Sequence, residues 1–182
     1  MDALVAYLPP AKGYLPYYMF GLSLIAVGNS LQNYATLHYS RRLYNGQFVR
    51  NAALPPRTSS YDPDDSTQKL VPVPSSSSSS NPPPKKEGRS SGGDQVTPLA
   101  ARLFGTYTLV SAIVRLYASY HLRLGPLYDL ALWTYVVALA HFASEVAVYR
   151  TARLGPPVLF PFFFASVGIA WMVSQRAFYV EV

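Results

Sequence analysis

The chain has 182 residues, of which 50% are hydrophobic and only 13% are charged, with a net charge of +6 and no cysteine. A soluble domain carries about a quarter charged residues, so the composition points to lipid rather than water as the surrounding medium. The missing cysteines exclude disulfides, iron–sulfur clusters and thiolate zinc sites. The basic balance fits anchoring at anionic lipid leaflets better than nucleic-acid binding.

In chain order, the first apolar segment covers about residues 16–38, with a continuous core at 19–28. No basic region precedes it and no small-residue cleavage site follows, so it reads as a retained signal-anchor. Residues 51–97 differ in kind, being rich in Pro, Ser and Gly and containing the serine run 75–80. With so few large apolar side chains to offset ordering entropy, this stretch is expected to be a disordered loop. Three further apolar segments follow, at about 99–120, 127–149 and 157–175. Each of the four is about 20 residues, enough to cross a hydrocarbon core of about 30 Å. Tyr14, Tyr17, Tyr18, Tyr39, Tyr44, Tyr117, Tyr120, Tyr128, Phe178 and Tyr179 gather near the segment ends, as in interfacial aromatic belts. Soluble buried helices would each need a polar face, and the 158–173 stretch has none.

The expected fold is therefore an all-α integral membrane protein, a bundle of four transmembrane helices with a long disordered loop between the first two. Its organisation divides into 1–50, the loop 51–97, and 98–182. Basic residues favour one side: Arg41, Arg42, Arg50, Lys85, Lys86 and Arg89 around the first connection, and Arg150 and Arg153 in the third. Only Lys12, Arg123 and Arg176 stand opposite. The positive-inside rule then places the long loop in the cytosol and both termini on the far side.

Charged groups within spans are costly and normally face the bundle interior with a partner. Arg102 and Arg115 fall in the second span, and Asp129, His141 and Glu145 in the third. The short 121–126 connection makes these spans an antiparallel hairpin, in which residues equidistant from the turn share a depth. That spacing predicts the pairs Arg102–Glu145 and Arg115–Asp129. His141 lies one turn from Glu145, and Asn29 and Gln32 reach a similar depth, so one polar cluster of Asn29, Gln32, Arg102, His141 and Glu145 is expected. Side-chain chemistry favours structural hydrogen bonding between helices over an acid/base site built on His141 and Glu145. Three histidines are too few for a membrane di-iron centre, and no dinucleotide, phosphate-loop or Gly-x-Ser-x-Gly motif is present.

The entry Gly13-Tyr14-Leu15-Pro16, the segment Gly28-Asn29-Ser30-Leu31-Gln32, and Ala101-Arg102-Leu103-Phe104-Gly105-Thr106-Tyr107-Thr108 resemble the ergosterol biosynthetic protein 28 family. So do Ile113-Val114-Arg115-Leu116-Tyr117 and Ala140-His141-Phe142-Ala143-Ser144-Glu145, all in order along the chain. The resemblance implies a non-enzymatic scaffold of the endoplasmic reticulum membrane, without cofactor. Its implied partners are a C4-methyl sterol oxidase, a sterol C4 decarboxylase acting on 3-hydroxysteroids, a 3-keto sterol reductase and a sterol 24-C-methyltransferase. Self-association is left open. The Ser/Pro loop departs from the family pattern, where a short connection is expected. Two competing readings remain: a small sterol isomerase using His141 and Glu145, and a transporter or channel subunit. Both need a polar cavity within the bilayer.

Overall fold

The computed structural model describes residues 7–10, 12–46, 48–50, 70–72 and 96–180, the two three-residue segments by backbone alone. Four long helices dominate: α1 Leu15–Ala35, α3 Pro98–Tyr120, α4 Gly125–Ala147 and α5 Pro156–Ser174. Two short ones, α2 His38–Leu43 and α6 Arg176–Tyr179, follow α1 and α5. Each long helix has proline in its first two positions, where the missing N–H costs nothing and the fixed φ suits a helix. Thr97 also caps α3, its Oγ1 accepting from Ala100 N at 3.1 Å.

Three of the described helices, α3, α4 and α5, are long and apolar enough to cross a membrane. At 21 residues α1 is long enough too, but Asn29, Gln32 and Asn33 lower its hydropathy. It ends three residues short of the sequence expectation, since the backbone turns extended at Thr36 before α2 begins. Most of the expected disordered loop lies outside the described residues. Within it, Leu70–Pro72 (β2) pairs antiparallel with Phe48–Arg50 (β1), in the register Phe48↔Pro72, Val49↔Val71 and Arg50↔Leu70. This short ribbon is an addition to an otherwise helical fold. The strand sequences Phe-Val-Arg and Leu-Val-Pro carry enough β-preferring residues for a short ribbon.

Helix α1 packs along α3, α3 along α4, and α4 along α5. Small residues permit these contacts. A Cβ on Gly105 of α3 would stand 3.2 Å from the Ser30 carbonyl oxygen and 3.2 Å from Asn33 Cβ on α1. One on Gly168 of α5 would meet the Tyr135 ring of α4 at 3.1 Å. The buried core forms two clusters. Leu15, Met19, Tyr128, Tyr135, Ala165 and Met172 fill one end and the middle; Leu43, Phe142, Ala152 and Val158 close the other end beneath α2.

At the first end the C-terminal helix holds two helix starts. Gly13 has φ +81°, and Tyr179 lies where any side chain on Gly13 would project. The Tyr179 hydroxyl accepts from Leu15 N at 3.4 Å, serving an otherwise unpaired donor at the start of α1. Arg176 makes a two-pronged bond to Asp129, near the start of α4, at 3.0 and 2.9 Å. That bond raises the pKa of the Arg176 guanidinium above its ordinary value.

Replacing Gly105 by alanine is expected to lower the unfolding midpoint of the detergent-purified protein, because the new methyl meets a backbone oxygen that cannot move aside; the cost should be about 1–3 kcal/mol. Gly21 and Gly28 have open space where a Cβ would go. Alanine there should be neutral or stabilising by about 0.5–1 kcal/mol. Equal effects at Gly105 and Gly21 would refute this account of the α1–α3 contact.

Candidate functional site

The polar side chains of the bundle and its ends fall into three separate groups. The first lies under α2. His141 Nε2 is 2.7 Å from the Tyr44 hydroxyl, and its Nδ1 is 3.8 Å from Glu145 Oε1, one turn on. Glu145 in turn accepts from the Thr151 hydroxyl. The backbone fastens the arrangement: Gly46 N donates to Thr151 O at 2.8 Å, and Arg153 N to Asn45 Oδ1 at 3.0 Å. Phe104, Tyr107 and Phe142 surround the imidazole, with ring centroids 5.2–6.4 Å away. Burial pushes the Tyr44 hydroxyl well above the ordinary range of a phenol, so it stays protonated. Either group can donate in the Tyr44–His141 bond, the direction following the imidazole tautomer. The resulting phenol–imidazole–carboxylate chain borders a cavity of about 440 Å³.

Of the five residues expected to cluster, only His141 and Glu145 come together. Asn29 lines a different, central cavity, and its carbonyl accepts from Asn33 Nδ2 at 2.9 Å. Gln32 and Arg102 are exposed. The expected Arg102–Glu145 pair is absent, because Ala101 and Gly105 turn inward and carry Arg102 to the outer face of α3. Equal distance from the hairpin turn fixes depth but not the direction around the helix.

The second group centres on Arg115, and the expected Arg115–Asp129 pair is likewise absent. Arg115 Nε donates to Thr134 Oγ1 at 2.8 Å and Nη2 to the Thr134 carbonyl at 3.0 Å. The guanidinium carbon lies 4.0 Å from the centroid of the Tyr135 ring, a cation–π distance. Helical side chains lean toward their own N-terminus, which carries this guanidinium toward the bundle middle and away from Asp129. The third group is the Asp129–Arg176 pair described above.

Polar residues of α1 mostly satisfy themselves. Ser23 bonds Met19 O at 2.7 Å and Ser30 bonds Ala26 O at 3.0 Å. Ser40 of α2 reaches Asn33 Oδ1 at 2.5 Å. Across the α1–α3 contact, the Tyr34 and Thr106 hydroxyls meet at 2.5 Å. Sequence reasoning missed Tyr44, Thr151, Thr134, Tyr135 and the pairing role of Arg176. Arg176 alone carried a usable signal, as a basic residue near the same end as Asp129. Among the described residues no group of three or more His, Cys, Asp or Glu side chains could hold a metal ion.

The profile of a family described as "Erg28 like protein" matches residues 15–170. Ergosterol biosynthetic protein 28 of Gibberella zeae is 51% identical over 181 residues, covering 100% of this chain and 99% of that protein. The protein of the same name from Candida albicans is 30% identical, covering 93% of this chain and 90% of its own length. The Saccharomyces cerevisiae protein is 27% identical over 94% of this chain and 86% of its own. No solved structure matches. With most of its length matched by the family profile and a relative aligned end to end, this chain belongs to the Erg28 family.

Proposed function

We propose that this chain acts in ergosterol biosynthesis as a non-catalytic scaffold with four membrane spans in the endoplasmic reticulum. It would gather the C4-methyl sterol oxidase, the sterol C4 decarboxylase, the 3-keto sterol reductase and the sterol 24-C-methyltransferase. The names of its relatives support the pathway. The observation that carries the scaffold reading is the thinness of the bundle. Only 17–22% of the most apolar window of α3, α4 and α5 is buried within the chain. Leu103, Val110 and Ile113 on α3, Trp133 and Val137 on α4, and Phe163 and Val173 on α5 all face outward. Such faces suit helices of other proteins as well as lipid. Holding sequential enzymes together raises the local concentration of each intermediate.

Two features support α1 as the fourth span. Its length is roughly 31 Å at 1.5 Å per residue, and its buried serines and Asn33 find their hydrogen-bond partners within α1 and α2, as a hydrocarbon setting demands. The excess of arginine and lysine around the first and third connections supports a cytosolic loop. A second reading, a small sterol-modifying enzyme, is favoured by the Tyr44–His141–Glu145 chain beside its cavity.

Affinity capture from mild detergent is expected to recover the sterol-demethylation enzymes, and failure to recover any would defeat the scaffold reading. The purified chain alone should not turn over methylated or Δ8 sterols; product formation that His141→Ala abolishes would establish the enzymatic reading instead. For topology, a glycosylation acceptor in an N-terminal extension should be modified, while one placed in residues 51–69 should stay unmodified. The same outcome at both positions would show that α1 does not cross.

A further inference from the structure

Between the two core clusters the bundle encloses a central cavity lined by α1, α3, α4 and α5. Its walls are mainly apolar, including Leu22, Phe104, Phe142 and Phe164, yet two of its lining residues carry polar groups that nothing among the described residues completes. One is Arg115. A guanidinium has five N–H donors, and among the described residues Arg115 gives hydrogen bonds only to Thr134. No carboxylate pairs with it among the described residues. The other is Tyr135, only 1% exposed, whose hydroxyl has no hydrogen-bond partner among the described residues.

Depth makes this arrangement unusual. Arg115 starts roughly 8 Å from the C-terminal end of α3, whereas Thr134 sits roughly 13 Å into α4, counting 1.5 Å per residue. The side chain therefore reaches inward, where a long cation near a helix end would ordinarily extend toward the headgroups. A part-buried cation without a counter-charge and a buried hydroxyl without an acceptor are both expensive in an apolar setting. Both are relieved by one guest: an anion that takes the remaining guanidinium donors and accepts from the phenol.

We propose that this cavity binds a membrane-soluble amphiphile bearing a single carboxylate, with the carboxylate held by Arg115 and the Tyr135 hydroxyl. The planar guanidinium fork matches two carboxylate oxygens, and one carboxylate balances one cation. Entry is from the lipid side, since Ile25 of α1 and Phe160 of α5 line the cavity and are 47% and 44% exposed. The enclosed space, about 100 Å³, holds a head group and its first few carbons. The remaining apolar body lies along the crevice between α1 and α5. Two sources share this chemistry, a long-chain fatty acid and a steroid carboxylic acid.

The test is saturable binding to the purified full-length chain in nanodiscs, without any partner enzyme, so that its outcome is independent of the scaffold reading. Radiolabelled oleate, a labelled steroid carboxylic acid and neutral ergosterol are the three probes. At least one acid should bind ten times or more tightly than ergosterol, and whichever acid binds more tightly identifies the source. Arg115→Gln should weaken that binding by about 10–100-fold, the range for a charged hydrogen-bond partner. Tyr135→Phe should weaken it several-fold while leaving the unfolding midpoint unchanged or higher, because the hydroxyl has no partner to lose. Acids that bind no better than ergosterol would overturn the proposal. So would an affinity untouched by Tyr135→Phe, which remains decisive even where Arg115→Gln fails to fold.

Discussion

Within a bilayer, a polar group has no water to turn to, and the arrangement of this bundle follows from that constraint. Arg115 shows it most clearly. Its guanidinium can be carried in the middle of apolar helices because Thr134 presents both a hydroxyl and a carbonyl at the right height, and Tyr135 presents a ring face. Both acceptors and the ring belong to consecutive residues of α4, so the arginine of α3 fixes the relative rotation of these two helices as well as their depth. Gly168 then lets α5 approach the Tyr135 ring closely. One charged side chain thus sets the rotation of α4 against α3, and α5 seats on the ring that the same arginine covers.

The opposite approach operates on the other flank. Helix α1 meets α3 through the absence of a side chain at Gly105, and its own serines and Asn33 are satisfied by carbonyls within α1 and by Ser40. A helix that satisfies its own polar groups imposes no rotational demand of the kind Arg115 imposes. The α1–α3 contact therefore rests on shape and on the Tyr34–Thr106 bond. The α3–α4 contact rests on a specific acceptor set. These two interfaces should respond differently to mutation, the first to side-chain volume and the second to the loss of polar atoms.

Helix positions were legible in the sequence because they depend on local quantities. Proline at the starts of all four long helices and about 20 apolar residues after each are enough to place α3 and α5 within a residue or so at either end. The charge pairs were not legible. Depth along a hairpin can be counted, but Arg102 and Glu145 share a depth while facing different directions, and only the inward turn of Ala101 and Gly105 reveals it. Arg115 was misassigned because counting between backbones ignores a side chain long enough to reach past its own level. Tyr44 and Thr151 sit on connections whose course no periodicity encodes, yet they complete the environment of His141. Strand β2 lies within a region whose composition argues against order, and its partner β1 just before it.

The separation of polar groups along the bundle bears on the proposed role as a platform. The Asp129–Arg176 pair and the Tyr179 cap hold one end, and the Tyr44–His141–Glu145–Thr151 chain holds the other. Both tie connecting segments to helix termini, so the ends are fixed without using the outward apolar faces between them. Those faces, carrying Val110, Ile113, Trp133 and Phe163, are left out of the internal network altogether. A partner helix packing there would displace lipid but break no hydrogen bond within the chain. Association through such a surface costs little internal rearrangement, and a small bundle can in this way present several helices to different partners at once.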